Sequence, residues 1–488
     1  PRPDITRRGG NPLYRPRKER RLFRIIKDMK ITHRAVAASL LCFGIAALNA
    51  PDADENWGQW RGPLGTGAAP KANPPLKWSD TEGVKWKVKI PGRGTATPIV
   101  WGDQVFVQTA IPSGKKVASY PAEVPGPILA AQQQDGAQRR EGGRRRGGGF
   151  GRAQKPDEEH QFVLMSIDRK TGAVQWQQVA RQEVPHEGHH QDHNFASGSP
   201  VTDGEHVYAY FGSRGLHAYD MKGNLKWSKD FGDMQTKMQF GEGTSPALHG
   251  NTIVVNWDHE GDDFIVALDK KSGDELWRQA RDEGTSWTTP LIVEHGGSVQ
   301  VVMAATKKIR SYDLKTGKQI WECGGMTANS IPTPVADEEM VYVTSGFRGN
   351  ALLAIRLGQT GDLTGTDAIA WKHNRATPYV PSPLLYDGKL FFFSNNNAVL
   401  SCFEAKTGKA LFEEERLEGV QGVYASPVAA KDRIYLVGRN GTTVVIKNSS
   451  KLEVLATNKL DERIDASPAL VGNEMFLRGH EHLYSLAN

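Results

Sequence analysis

Four histidines crowd into one short stretch, HEGHHQDHN at 186–194. Neutral imidazoles ligate Zn²⁺, Cu²⁺ or Ni²⁺. His186, His189, His190 and His193 are therefore candidate metal ligands, with Asp192 able to add a carboxylate. A second stretch, WDHEGDDF at 257–264, offers Asp258, Glu260, Asp262 and Asp263 as oxygen ligands for Ca²⁺. The first loop has no partner Cys and no fixed helical spacing, and the second lacks the full calcium-loop pattern. Both therefore also read as solvated polar loops. If the two converge, they form a composite site with His259 as a natural member.

What positions these loops is a repeat. Pro98, Pro200, Pro246, Pro290, Pro334, Pro383, Pro427 and Pro468 each follow a Ser or Thr and open a short strand-like run. From Pro200 onward the intervals are 46, 44, 44, 49, 44 and 41 residues. A period in the forties marks a repeat architecture. The unit beginning at Pro246 reads as four strands separated by turn signals at Gly250-Asn251, a polar loop, and Ser272-Gly273. Four short antiparallel strands make one propeller blade, which buries its faces only by stacking on neighbours.

The last turn of the unit has its own signature: SIDRKTGAVQW, AYDMKGNLKW, ALDKKSGDELW, SYDLKTGKQIW and CFEAKTGKALF. The acidic residue can bond the turn backbone. The glycines Gly172, Gly223, Gly273, Gly317 and Gly408 supply positive φ in the hairpin. Trp176, Trp227, Trp277, Trp321, Trp371 and Phe412 end the units and suit the gap between adjacent blades. Trp86, in the lone strand VKWKVKI at 84–90, looks like the missing fourth strand of the last unit, SPALVGNEMFLRGHEHLYSLAN. The expected fold is all-β: an eight-bladed β-propeller whose ends meet in one blade, which leaves no open edge. Two turns depart from the signature, LGQTGDLTGTDAIAW in the fifth unit and KNSSKLEVLA in the seventh.

The turn motif resembles the tryptophan-docking repeat of quinoprotein-type (PQQ-like) propellers, and the resemblance covers roughly 57–488. It implies one of two roles. Some members are dehydrogenases that use pyrroloquinoline quinone, with an Asp base, Ca²⁺ held by Glu and Asn, an Arg near the quinone oxygens and often a vicinal disulfide under the cofactor. The present chain has no adjacent cysteines and lacks large cap insertions. The other branch is the periplasmic scaffold BamB, which binds partner proteins without a cofactor. The chain matches that branch in size and blade count. It departs in its Arg/Gly-rich insertion, its His-rich loop and the lack of a lipobox cysteine, since Cys42 lies inside an apolar run. The opening NWGQWRGPLGTG resembles that of exported stand-alone propellers, its tryptophans anchoring the segment 51–83 against the blades.

In such a ring the loops entering each first strand share one face with the loops between second and third strands. That face is the expected binding face. Its candidate residues are Glu242, Asp258, His259, Glu283, Trp287, Asn329, Arg375, Arg463 and Asp465. An insertion at 112–160, rich in Gly, Gln and Arg, reads as disordered and leaves from the same face.

The basic character of the chain is local. Lys and Arg number 61 against 55 acidic residues, net +6. Residues 1–50 hold 12 of the basic and 3 of the acidic residues, so the remainder is 49 minus 52, or −3. General nucleic-acid binding loses its support. Residues 1–28 read as a mis-assigned start or basic leader. Met29 then opens a secretory signal pattern, with Lys30, Arg34 and an apolar run from Ala35 to Leu48. Cys323 and Cys402 lie two units apart, which argues against a disulfide. The sequence thus leads to an exported, monomeric, non-catalytic scaffold in the periplasm or cell envelope. It binds a protein, small-molecule or polymer ligand on the loop-rich face, with no cofactor expected. The alternatives are a dehydrogenase using PQQ with Ca²⁺, and a divalent-metal site at the His-rich loop.

Overall fold

The computed structural model describes residues 55–116 and 156–488. The leader, the signal pattern and the Arg/Gly run lie outside them. Each of the eight units forms an antiparallel four-stranded sheet, and the sheets stand in a ring. Blade 3, for example, runs Ala247–His249, Thr252–Trp257, Phe264–Asp269 and Glu275–Ala280. Blade 4 carries a fifth, parallel strand, Gly361–Asp362, beside Trp321 and Glu322. This strand is the expanded turn of the fifth unit, folded back to cover its neighbour's edge. The lone strand Val84–Lys89 pairs with His482–Ala487, so the two ends of the propeller share blade 8.

In blade 1 the second strand is Gln104–Lys116 and the third Glu158–Asp168. Pro112 pairs with His160 and Lys116 with Glu158, so both ends of the 112–160 segment are sheet.

The inner strands are clamped by hydroxyls. The residue before each repeat proline is Ser or Thr, and its side chain accepts the N–H of its counterpart in the preceding blade. The bonds run Thr97 to Ser199, Ser199 to Ser245, Ser245 to Thr289 and Thr289 to Thr333, at 2.9–3.1 Å. They continue Thr333 to Ser382, Ser382 to Ser426 and Ser426 to Ser467, each 2.9 Å. The proline that follows has no N–H to compete. The step from Ser467 to Thr97 is not made, and Thr97 Oγ1 has no hydrogen-bond partner among the described residues. At that joint Arg478, fully buried in blade 8, donates to the Gln108 carbonyl of blade 1.

The apolar cores lie between blades rather than within them. Tyr208 and Leu216 of blade 2 pack with Ile253 and Val266 of blade 3. Val254 and Ile265, on the opposite face of blade 3, pack with Val301 and Met303 of blade 4. This follows from the period of two along a strand, which sends alternate side chains to the two neighbours.

The outer edge is held by the turn motif. Trp86, Trp176, Trp227, Trp277 and Trp371 each donate the indole N–H to a carbonyl in the next blade's outer hairpin, on Arg169, Met221, Lys270, Leu314 and Ala405 respectively. Each indole covers that hairpin's glycine. A Cβ on Gly317 would lie 2.6 Å from the Trp277 ring. The glycine is thus required twice, for positive φ and for the approach of the ring. Asp168, Asp220, Asp269 and Asp313 accept the turn N–H groups. Two positions differ. Trp321 bonds Gln300 within its own blade, because the fifth unit offers no tight turn. Phe412 has no N–H to donate, and the seventh unit offers no glycine. Its ring packs 6.4 Å from Phe391.

Two pairs of substitutions test these interactions by chemical denaturation. Ser245→Ala leaves the buried Ser199 N–H without a partner and is expected to cost about 1–3 kcal/mol, whereas Thr97→Val removes an unpartnered hydroxyl and is expected to stay within about 0.5 kcal/mol. Gly250 and Gly317 both have positive φ, +55° and +72°, but a Cβ on Gly250 meets open space. Gly250→Ala is therefore expected to cost about 1–2 kcal/mol, and Gly317→Ala clearly more.

Candidate functional site

The far end of the channel is closed by the N-terminal segment. Backbone bonds join it to the ends of the inner strands of five blades: Trp57 to Val100, Gly58 to Thr202, Thr66 to Leu385, Gly67 and Ala69 to Ala429, and Asn73 to Gly472. Arg61 is buried at its centre and donates Nη2 to the carbonyls of Thr66, Pro383 and Pro427. Trp60 faces the other way and lines a cavity of about 530 Å³. The remaining lining residues precede the repeat prolines or belong to loops between second and third strands, so the cavity opens on the loop-rich face. The channel is a one-ended well with Trp60 at its base.

Its walls are aromatic. Trp287 donates its indole N–H to Gly241 O at 2.7 Å. Phe347 and Tyr379 stack with centroids 4.9 Å apart. Phe240 carries the edge of His190, and the guanidinium of Arg439 sits 3.7 Å over Tyr424. Ser197, Ser245 and Ser467 complete the inner rim. The backbone is strained here: Met238, Asn329 and Arg348 all line the cavity at positive φ of 52°, 55° and 53°. Non-glycine residues adopt that region at a cost, and such residues gather at binding sites. Asn329 is 2% exposed, and its Oδ1 has no hydrogen-bond partner among the described residues.

The cavity's two carboxylates are already bonded. Asp192 accepts Arg439 and Arg463, each at 2.8 Å. Asp465 accepts the same two arginines at 2.7 and 3.1 Å, and His480 at 2.9 Å. This cluster ties the His-rich loop to blades 7 and 8.

Of the residues expected on the binding face, Trp287, Asn329 and Asp465 line the well, and Arg463 bonds Asp465 there. The others are elsewhere. Glu242 sits in a neighbouring crevice, held by Ser213 and Arg214. Asp258 is fully buried against Arg281 at 2.6 Å. Glu283 holds Arg310 and the Lys307 N–H. His259 Nδ1 accepts the Gln235 N–H, and Arg375 pairs with Glu413 and Glu414. The acidic loop is thus occupied internally. Glu260 caps Thr285, and Asp263 accepts the His259 N–H. Burial pushes the Asp263 carboxyl up to about 7.

The four histidines turn to different partners. His186 donates Nε2–H to Met234 O, and His189 donates to His190 O while its ring meets the edge of Phe195. His190 and His193 face the well. Among the described residues no three His, Cys, Asp or Glu side chains form a group that could hold a metal ion. The His-rich and acidic loops do not merge into one site. Each bonds the segment 234–241 instead, Glu187 through Thr236 and His259 through Gln235. Cys323 and Cys402 are free and buried.

The family model described as outer membrane protein assembly factor BamB matches residues 160–413, just over half of the chain. The chain belongs to this BamB-like family of PQQ-repeat propellers. Among solved structures, the quinohemoprotein alcohol dehydrogenase of Comamonas testosteroni matches 90% of this BamB-like chain and 81% of its own, at 11% identity and a TM-score of 0.57. A europium-containing methanol dehydrogenase matches 89% and 98% at 10% identity, again with a TM-score of 0.57. BamB from Moraxella catarrhalis matches 67% and 93% at 14% identity, with a TM-score of 0.49. At such identities the likenesses to the two dehydrogenases show the fold alone. No curated protein sequence matches the chain. Among the described residues no helix is long and apolar enough to cross a membrane.

Burial holds the His193 imidazole down to about 4. As pH falls from 6.5 toward 4, the unfolded chain takes up a proton at this residue that the folded chain refuses, so its contribution to stability falls. Wild type is therefore expected to lose stability relative to His193→Gln between pH 7 and pH 4.5. Denaturation midpoints of the two proteins at both pH values check this.

Proposed function

We propose that the chain is an exported, non-catalytic propeller that binds a ligand or a partner segment in the well at its loop-rich face. The observation that carries this reading is the well itself: closed at one end, walled by aromatic rings and lined by three strained residues. A cavity of this size and lining is what ligand sites share. Membership of the BamB-like family supports a binding role. The signal pattern at Met29 supports export to the periplasm or cell envelope.

A quinone-dependent dehydrogenase is the rival reading, favoured by the fold of the two dehydrogenases. The residues of the well do not fit its calcium–quinone centre. Such a centre needs carboxylates free to hold Ca²⁺ and to act as a base. Asp192 and Asp465 are each bonded by two arginines. Glu242, Asp258 and Glu283 are bonded outside the well. The chain also has no adjacent cysteines.

The test is to incubate the purified protein with pyrroloquinoline quinone and Ca²⁺, then follow absorbance and dye reduction with alcohols and sugars. No turnover is expected. Stoichiometric uptake of the quinone with substrate-dependent dye reduction would overturn the reading.

A further inference from the structure

The joint between blades 8 and 1 lacks its clamp bond, and a charged side chain is buried there. In blade 1 Ile99, which follows Pro98, pairs with Phe106; in blade 8 Ala469, which follows Pro468, pairs with Phe476. Two residues beyond those partners stand Gln108 and Arg478, so the two side chains hold the same place in successive joints. Gln108 suits that place. Its Nε2 donates to Gly198 O and Tyr210 O at 2.9 and 3.0 Å, and its Oε1 accepts the Tyr210 N–H at 3.1 Å. Arg478 offers donors only. Its Nη1 donates to Gln108 O at 3.3 Å, while its Nε and Nη2 have no hydrogen-bond partner among the described residues.

Those two nitrogens form the fork on one edge of the guanidinium, the edge that takes anions bidentately. Arg478 is 1% exposed, so bulk water does not serve the fork. Burial pulls its pKa down to about 10, and it stays charged at neutral pH. Glu462 is the carboxylate whose charge it feels, but both Glu462 oxygens are taken. Oε1 accepts the N–H groups of Glu481 and His482, and Oε2 bonds His482 Nδ1 at 3.0 Å and the Tyr484 hydroxyl at 2.6 Å. A buried charge with unpaired N–H groups is costly unless something compensates it. A water on the fork would bring hydrogens of its own to a joint already short of acceptors, whereas a halide brings none. Backbone crowds the place: a Cβ on Gly94 would lie 3.4 Å from Nη2 and would meet Gln108 O at 2.6 Å. Only a small guest fits beside it.

We infer that the joint between blades 8 and 1 holds a small monovalent inorganic anion, of the size of chloride, on the Nε–Nη2 fork of Arg478. The anion supplies a negative charge within the joint where the bond from Ser467 to Thr97 is missing. The site lies behind the wall of the well, since Ser467 lines the well and Arg478 does not. It holds the ring closed and is independent of what the well binds.

Crystals of the full chain are grown with bromide in place of chloride and measured at the bromine absorption edge. An anomalous peak in contact with Arg478 Nε and Nη2 is expected. A water without anomalous signal on the fork, the Glu462 carboxylate turned onto it, an empty fork, or bromide at surface positions alone (an adventitious ion only) would each overturn the inference. In solution, wild type and Arg478→Gln are melted at constant ionic strength while chloride replaces methanesulfonate, an anion too bulky for the joint. Arg478→Gln installs the side chain that Gln108 already supplies to the next joint, so the variant is expected to fold. The wild-type midpoint is expected to rise by about 1–2 °C for each tenfold increase in chloride as the site fills, and that of the variant to stay level. Equal chloride dependence in the two proteins would overturn the inference. If the variant does not fold, the bromide peak in wild type decides alone.

Discussion

A chain of seven hydroxyl-to-amide bonds, from Thr97 through Ser199 and onward to Ser467, holds the inner strands in register around the channel. Each bond is worth only about 0.5–1.5 kcal/mol net, but leaving one of these buried N–H groups unpaired costs more. The arrangement depends on the proline that follows each Ser or Thr. A proline has no amide hydrogen, so each step has one donor and one acceptor. The interblade cores then follow from alternation along the strands, and the tryptophans lock the rim of the ring.

The binding well is what this inner clamp leaves exposed. The residues of the clamp sit at one end of the inner strands, and the loops entering them must emerge on that side. The other end is closed by the segment around Arg61, which stitches five blades together. Trp60 is therefore a base for the well as well as part of an anchor. With the blades fixed, the loops can hold Met238, Asn329 and Arg348 in conformations they would not adopt alone. Backbone strain gathers at the well. It is tolerated because the ring beneath it is rigid.

The ring was readable from the prolines, and the outer rim from the Gly and Trp spacings, because both are local and recur eight and five times. The strand at Trp86 was readable because it has no unit of its own. The site was read less completely. Trp287, Asn329, Arg463 and Asp465 were found from their distance to the prolines. The same rule also picked Glu242 and Glu283, which fold into ion pairs away from the well. Chain distance gives the face on which a residue emerges, not the direction of its side chain. The acidic loop reads as a calcium site because its partners, Arg281 and Thr285, lie in the next loop of the chain and carry no visible link to it. Phe347, Tyr379 and Tyr424 have no motif at all. Only the position of a loop before or within a unit marks them, and that signal applies to dozens of residues.

The most direct test of the account is native-state amide hydrogen exchange across the inner strands. If the hydroxyl clamp is what fixes the ring, the N–H groups of Ser199, Ser245, Thr289, Thr333, Ser382 and Ser426 exchange only through global unfolding, while amides in the loops at 236–240 and 346–350 exchange through smaller openings. Exchange of the clamp amides at the same low free energy as those loops would contradict the account, because the well would then have no rigid frame.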